Sequence, residues 1–89
     1  MTTVTFEVTV QEGYRDERGP RRETLGRVAS MSCVPRVGEA VDMGYGHADV
    51  GWLDWSPWDD GVFIRLDGMF TCSDPFDGVL TALRKEGWR

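Results

Sequence analysis

"DVGWLDWSPWDDGVFIRLDG", residues Asp49 to Gly68, places three tryptophans within seven residues and sets five carboxylates around them. Pro57 pre-sets a turn, Asp60-Gly61 closes it, and strand-like runs lie on both sides, so the stretch predicts a β-hairpin. Pairing Ser56 with Gly61 puts Trp55 opposite Val62, Leu53 opposite Ile64 and Gly51 opposite Leu66 on one apolar face. On the other face Trp52 meets Arg65, and Asp54 meets Phe63. Trp55 is thereby expected in the core, and Trp52 on the opposite face with Arg65 stacked on its ring. Trp58 is expected at the turn, as anchor for a partner or as a staple folded back over the hairpin. A one-residue slip would exchange the two faces yet leave Trp58 at the tip.

Working outward, "TVTFEVTVQ" near the N-terminus alternates without a break. Val4, Phe6, Val8 and Val10 share one face and Thr3, Thr5, Glu7 and Thr9 the other, which is the period of a half-buried strand. Glu12 to Glu23 interrupts the pattern with glycine, proline and charge, and reads as a loop or a long hairpin connection. Thr24 to Val34 forms a second strand with Leu25, Ala29, Met31 and Cys33 on one face and Arg27 breaking the apolar run. Pro35 and Gly38 turn the chain into a short strand around Ala40 to Met43.

The C-terminal "SDPFDGVLTALRKEGWR" is helical. Phe76, Val79, Leu80 and Leu83 recur at the spacing of a single helix face that must lie on the sheet. Asp74 is the expected N-cap, Pro75 the first helical residue and Asp77 a carboxylate for the free amides of the first turn. Arg84 and Lys85 suit the negative end of the dipole, and Gly87 stops the helix.

These elements make one α+β domain over residues 1–89: a curved antiparallel sheet, or a small partly open β-barrel, of about five strands with the helix packed on it. A chain of 89 residues supports a single core. Its N-terminal stretch has neither a basic leader nor a continuous apolar run, so neither a signal peptide nor a membrane span is expected, and the expected location is cytoplasmic. In that compartment Cys33 and Cys72 read as reduced thiols, each a small buried apolar side chain.

Ten basic and fifteen acidic side chains give a net charge of −5. Residues 1–36 carry six arginines and five carboxylates, net +1, and residues 37–89 four basic and ten acidic groups, net −6. Binding to nucleic acid or to anionic lipid is disfavoured by that balance. The basic loop with Arg15, Arg18, Arg21 and Arg22 is diluted by Asp16, Glu17 and Glu23, and reads as solvated.

Catalytic signals are sparse. His47 is the single histidine and no motif supplies it a nucleophile; the enzymatic alternative rests on Cys72 ahead of a helix N-terminus paired with His47 in a loop. The cysteines lack the spacing of a zinc site, "DWSPWDDG" lacks that of a calcium loop, and no glycine-rich segment has the context of a phosphate loop. No enzyme activity, cofactor, metal or small-molecule substrate is therefore expected.

Nine of the ten basic residues are arginine, and glycine, valine and aspartate are abundant, as in GC-rich genomes. With the short chain and the spare hairpin core of "VPRVGEAV" and "VGWLDWSPWDDGVFIRLDG", the sequence resembles the small accessory proteins of actinobacterial bacteriophages. That resemblance implies a bacterial host protein as partner, in the cytoplasm of the host. The expected function is a non-enzymatic protein-binding module, with contacts at Trp52, Trp58 and Arg65 and with Asp54, Asp59 and Asp60 giving electrostatic selectivity. A self-associating structural or virion component is the alternative. An acidic mimic of DNA ranks third, because Asp67, Asp74 and Asp77 are partly explained by strand ending and capping.

Overall fold

The computed structural model describes residues 1–12, 21–56, 61–71 and 75–89. The order of elements is β1 (Thr2–Glu12), β2 (Arg22–Met31), β3 (Ala40–Asp42), β4 (His47–Ser56), β5 (Gly61–Leu66), β6 (Met69–Thr71) and α1 (Phe76–Lys85). The strands lie in the order β2-β1-β5-β4-β3, and β6 continues beyond β5 along β1, so the sheet is five strands wide. It curls into a half-barrel with α1 packed on it, as the alternating strands and one amphipathic helix require.

Two pairings depart from the expected antiparallel sheet. β1 lies between β2 and β5 and runs parallel to both β5 and β6, while β1–β2, β3–β4 and β4–β5 are antiparallel. The sheet is therefore mixed. A parallel pair needs a long crossover rather than a tight turn, and here β2, β3 and β4 together form that crossover.

The alternation of β1 is realised fully. Val4, Phe6, Val8 and Val10 are buried on the concave side, where Leu25 of β2, Val50 of β4 and Val62, Ile64 and Leu66 of β5 join them. Phe76, Val79, Leu80 and Leu83 of α1 close over these residues. Each such side chain contributes about 1.5 to 3 kcal/mol on full burial.

The ends of the other elements shift from expectation for local reasons. β2 stops at Met31 and the chain bends at 32–33, so the two-residue period is lost and Cys33 is a free, exposed thiol rather than an inward-facing one. Gly38 takes a positive φ of 90° and its N–H bonds Val50 O at 2.8 Å, which starts the turn into β3. Pro75, expected inside the helix, occupies the N-cap, and the first helical bond runs from Val79 N–H to Pro75 O at 3.0 Å. Asp74 lies outside the described residues.

Asp77 does not reach the helix amides through any described bond. It accepts from Arg21 Nη1 at 3.4 Å, while Arg21 Nη2 reaches Glu12 Oε2 at 3.2 Å and the guanidinium stands 4.8 Å from the Phe76 ring centroid. Arg21 thus ties the base of the β1–β2 hairpin to the start of α1. The Glu12 hydrogen bond, outweighing desolvation, and the charges of Asp77 and Glu12 hold this guanidinium above its ordinary pKa.

At the other end of α1, Gly87 adopts φ +97°. Its N–H bonds Arg84 O at 3.1 Å and the Trp88 N–H bonds Leu83 O at 3.1 Å, the paired bonds of a Schellman motif. That reversal folds Trp88 back under the sheet, where it is 2% exposed, meets the Phe6 ring at 6.3 Å between centroids, and donates its indole N–H to Met43 O at 3.0 Å. Arg89 then exchanges two backbone hydrogen bonds with Gly26 on the outer edge of β2, at 2.7 and 2.8 Å. Trp88 is the side chain that plugs the half-barrel.

Candidate functional site

The β4–β5 hairpin keeps the expected register from Trp52 to Ser56: Trp52 opposite Arg65, Leu53 opposite Ile64, Asp54 opposite Phe63, Trp55 opposite Val62 and Ser56 opposite Gly61. Gly51 does not pair with Leu66. It is the extra residue of a β-bulge, and Val50 takes the place opposite Leu66. A side chain at Gly51 would meet the carboxylate of Asp67, an exposed side chain that would have to swing aside.

On the convex face the pairing produces a row across three strands. Glu7 of β1 lies beside Arg65 of β5, which lies beside Trp52 of β4. Arg65 Nε is 3.4 Å from Glu7 Oε1, and its guanidinium carbon stands 5.4 Å from the Trp52 ring centroid. The diagonal neighbour Phe63 meets Trp52 at 6.1 Å with an interplanar angle of 68°, an edge-to-face contact. Trp52 remains 48% exposed even so. Thr9, Gly51, Leu66, Asp67 and Gly68 extend the row into a cavity of about 330 Å³ beside Trp52 and Arg65.

The concave face of the hairpin holds a correction. Trp55 points to the same side as Val62, as expected, yet it is 63% exposed and no part of the core. Two features leave it uncovered. β3 pairs only with residues 47–49 of β4, so Trp55 stands on an edge segment, and α1, with ten residues, is only about 15 Å long. Facing the core side of a sheet does not bury a residue where nothing lies across it.

Of the expected contact residues, the structure brings Trp52 and Arg65 together and places Asp54 exposed beside them, opposite Phe63. Trp58, Asp59 and Asp60 lie outside the described residues. Glu7, Phe63 and Trp55 are additions. Phe63 was legible as the diagonal neighbour of Trp52 once the register is set, whereas Glu7 depends on a parallel pairing between strands far apart in sequence.

His47 opens β4 and is exposed, in register with Asp42 of β3. Cys72 lies outside the described residues, so the thiol–imidazole pair has no described geometry. Among the described residues no group of three or more histidine, cysteine, aspartate or glutamate side chains could hold a metal ion. No helix among them is long and apolar enough to cross a membrane. The chain matches no known family, no curated protein and no solved structure.

Proposed function

We propose that the domain is a non-enzymatic protein-binding module that presents the β4–β5 hairpin to a partner protein. The observation that carries this reading is the pair of tryptophans on opposite faces of one hairpin, Trp52 at 48% and Trp55 at 63% exposure. Large exposed aromatics cost solubility and recur as the anchors of interfaces. Arg65 stacked on Trp52, with Glu7 and Asp54 close by, gives the convex side a charged rim around an aromatic centre. The proposal includes Trp58, Asp59 and Asp60, which lie between β4 and β5 in the sequence and outside the described residues. On the resemblance to phage accessory proteins, the partner is a bacterial host protein met in the cytoplasm.

The test is affinity capture with the wild-type protein, Trp52→Ala and Trp55→Ala, followed by titration of the retained protein against all three. A hot-spot tryptophan costs about 2 kcal/mol of binding or more, while leaving the unfolding curve nearly unmoved. A partner that binds wild type and both variants equally would remove the hairpin as the contact surface. Light scattering on the same samples separates the alternative: a concentration-dependent dimer abolished by Trp55→Ala assigns the surface to self-association.

A further inference from the structure

The sheet does not close, and the gap between its two outermost strands is a cavity of about 210 Å³. β2 contributes Arg27, Ala29 and Met31, β3 contributes Val41 and Asp42, and Phe6 and Trp88 form the floor. This place is distinct from the β4–β5 hairpin. Five of its seven lining residues are apolar, and two of those are aromatic rings already in contact with each other.

Arg27 is the unusual member. It shares the inward-facing side of β2 with Leu25, Ala29 and Met31, lies opposite Phe6 across the β1–β2 ladder, and its side chain runs beside Gly87. An arginine at that position interrupts an apolar face. Among the described residues its exposed side chain makes no hydrogen bond, ion pair or ring contact, whereas Arg21 and Arg65 are each engaged with a carboxylate and an aromatic ring. Asp42 stands on the opposite rim, where its Oδ1 accepts the Gly44 N–H at 2.8 Å and its second oxygen keeps its acceptor capacity. The side-chain donor at the mouth of the cavity is thus the Arg27 guanidinium, a planar fork matched to a carboxylate.

We infer that the open seam of the half-barrel, between β2 and β3, binds a small apolar monocarboxylate, with its body on Phe6 and Trp88 and its carboxylate on Arg27. Size sets the class. A cavity of about 150 Å³ admits benzene and drug-sized sites begin near about 300 Å³, so about 210 Å³ holds one ring with a short chain. Charge narrows it further: Arg27 and Asp42 together leave the mouth without net charge, so a single negative charge held on the Arg27 side is favoured over a doubly charged anion such as a phosphate monoester.

The probe is 3-phenylpropionate, titrated into the ¹⁵N-labelled protein while the Trp88 indole N–H and the Arg27 Nε–H are followed by NMR. A saturable shift of both is expected, with a Kd on the order of millimolar or tighter for a ligand this small. The neutral 3-phenylpropan-1-ol is expected to bind about tenfold more weakly, because it cannot accept a charge-assisted hydrogen bond from the guanidinium. Arg27→Gln should bring the carboxylate down to the level of the alcohol. Ala29→Phe, which fills the cavity and leaves Arg27 in place, should abolish both. The Gly26 and Arg89 amide positions report whether each variant keeps its fold. Equal binding of the acid and the alcohol to wild type, or the absence of a saturable Trp88 shift, overturns the inference without reference to any variant. So does a folded Arg27→Gln protein that binds the acid as wild type does.

Discussion

Trp88 and Trp55 both face the concave side of the sheet, and their surroundings are opposite. Trp88 is 2% exposed, hydrogen-bonded through its indole and packed on Phe6; Trp55 is 63% exposed on an edge segment beyond the reach of β3. The same residue type on the same face of one sheet therefore does two different jobs. What separates them is cover. The Schellman turn at Gly87 folds the chain back so that Trp88 lies under the sheet with Leu83, while a helix of about 15 Å cannot also extend across the hairpin. One end of the half-barrel becomes the core, and the other is left as an aromatic surface.

Substitutions can break that contrast, beginning with the largest effect. Trp88→Ala should destabilise the domain by about 3 to 5 kcal/mol, through the cavity it leaves and the loss of the partner of Met43 O. In a domain of this size such a loss unfolds much of the population at room temperature, which denaturant melts will show. If Trp88→Ala melts like wild type, the plug is elsewhere.

Gly87→Ala examines how Trp88 is delivered. At φ +97° a side chain is strained, and the expected cost is about 1 to 2 kcal/mol. That loss should be accompanied by shifts of the Trp88 and Arg89 amides, since both depend on the turn. A neutral Gly87→Ala would mean that the turn does not position the plug.

On the hairpin side the effects are smaller. Arg65→Ala removes an exposed ring contact and an exposed ion pair to Glu7, together about 0.5 to 1 kcal/mol, and the ion-pair share should vanish in high salt. Trp55→Ala should change stability by no more than about 0.5 kcal/mol, as surface changes do. A loss as large as that of Trp88→Ala would show that the hairpin packs against something in the folded protein and is no free surface.

How much of this was legible in the sequence divides along the same line. The hairpin register is readable from Trp52 to Ser56 because the turn signals and the two-residue period are local. The face of each residue follows from that register, and so does the stacking of Arg65 on Trp52. Burial does not, because it depends on which distant element lies across the face. Val62 is covered and its cross-strand partner Trp55 is exposed, with nothing in either neighbourhood to distinguish them.

Glu7 escaped for a related reason. Its contact with Arg65 arises from the parallel β1–β5 pairing, in which no turn links the partners. For Trp88 a local signal did exist: a glycine after the last helical turn followed at once by a large apolar residue is the pattern that returns the chain to the core. Reading Gly87 only as a stop misses it. Gly51 likewise signals its bulge, since an isolated glycine within a strand marks an irregularity in the ladder.

Hydrogen exchange at the tryptophan indole N–H groups, followed by NMR with assignments from the alanine variants, tests the contrast most directly. The Trp88 indole, buried and bonded to Met43 O, should exchange only through opening of the core, whereas those of Trp52 and Trp55 should exchange at nearly the rate of free indole. Protection of Trp55 comparable to that of Trp88, or rapid exchange at Trp88, would contradict the division of the half-barrel into a plugged core and an aromatic surface.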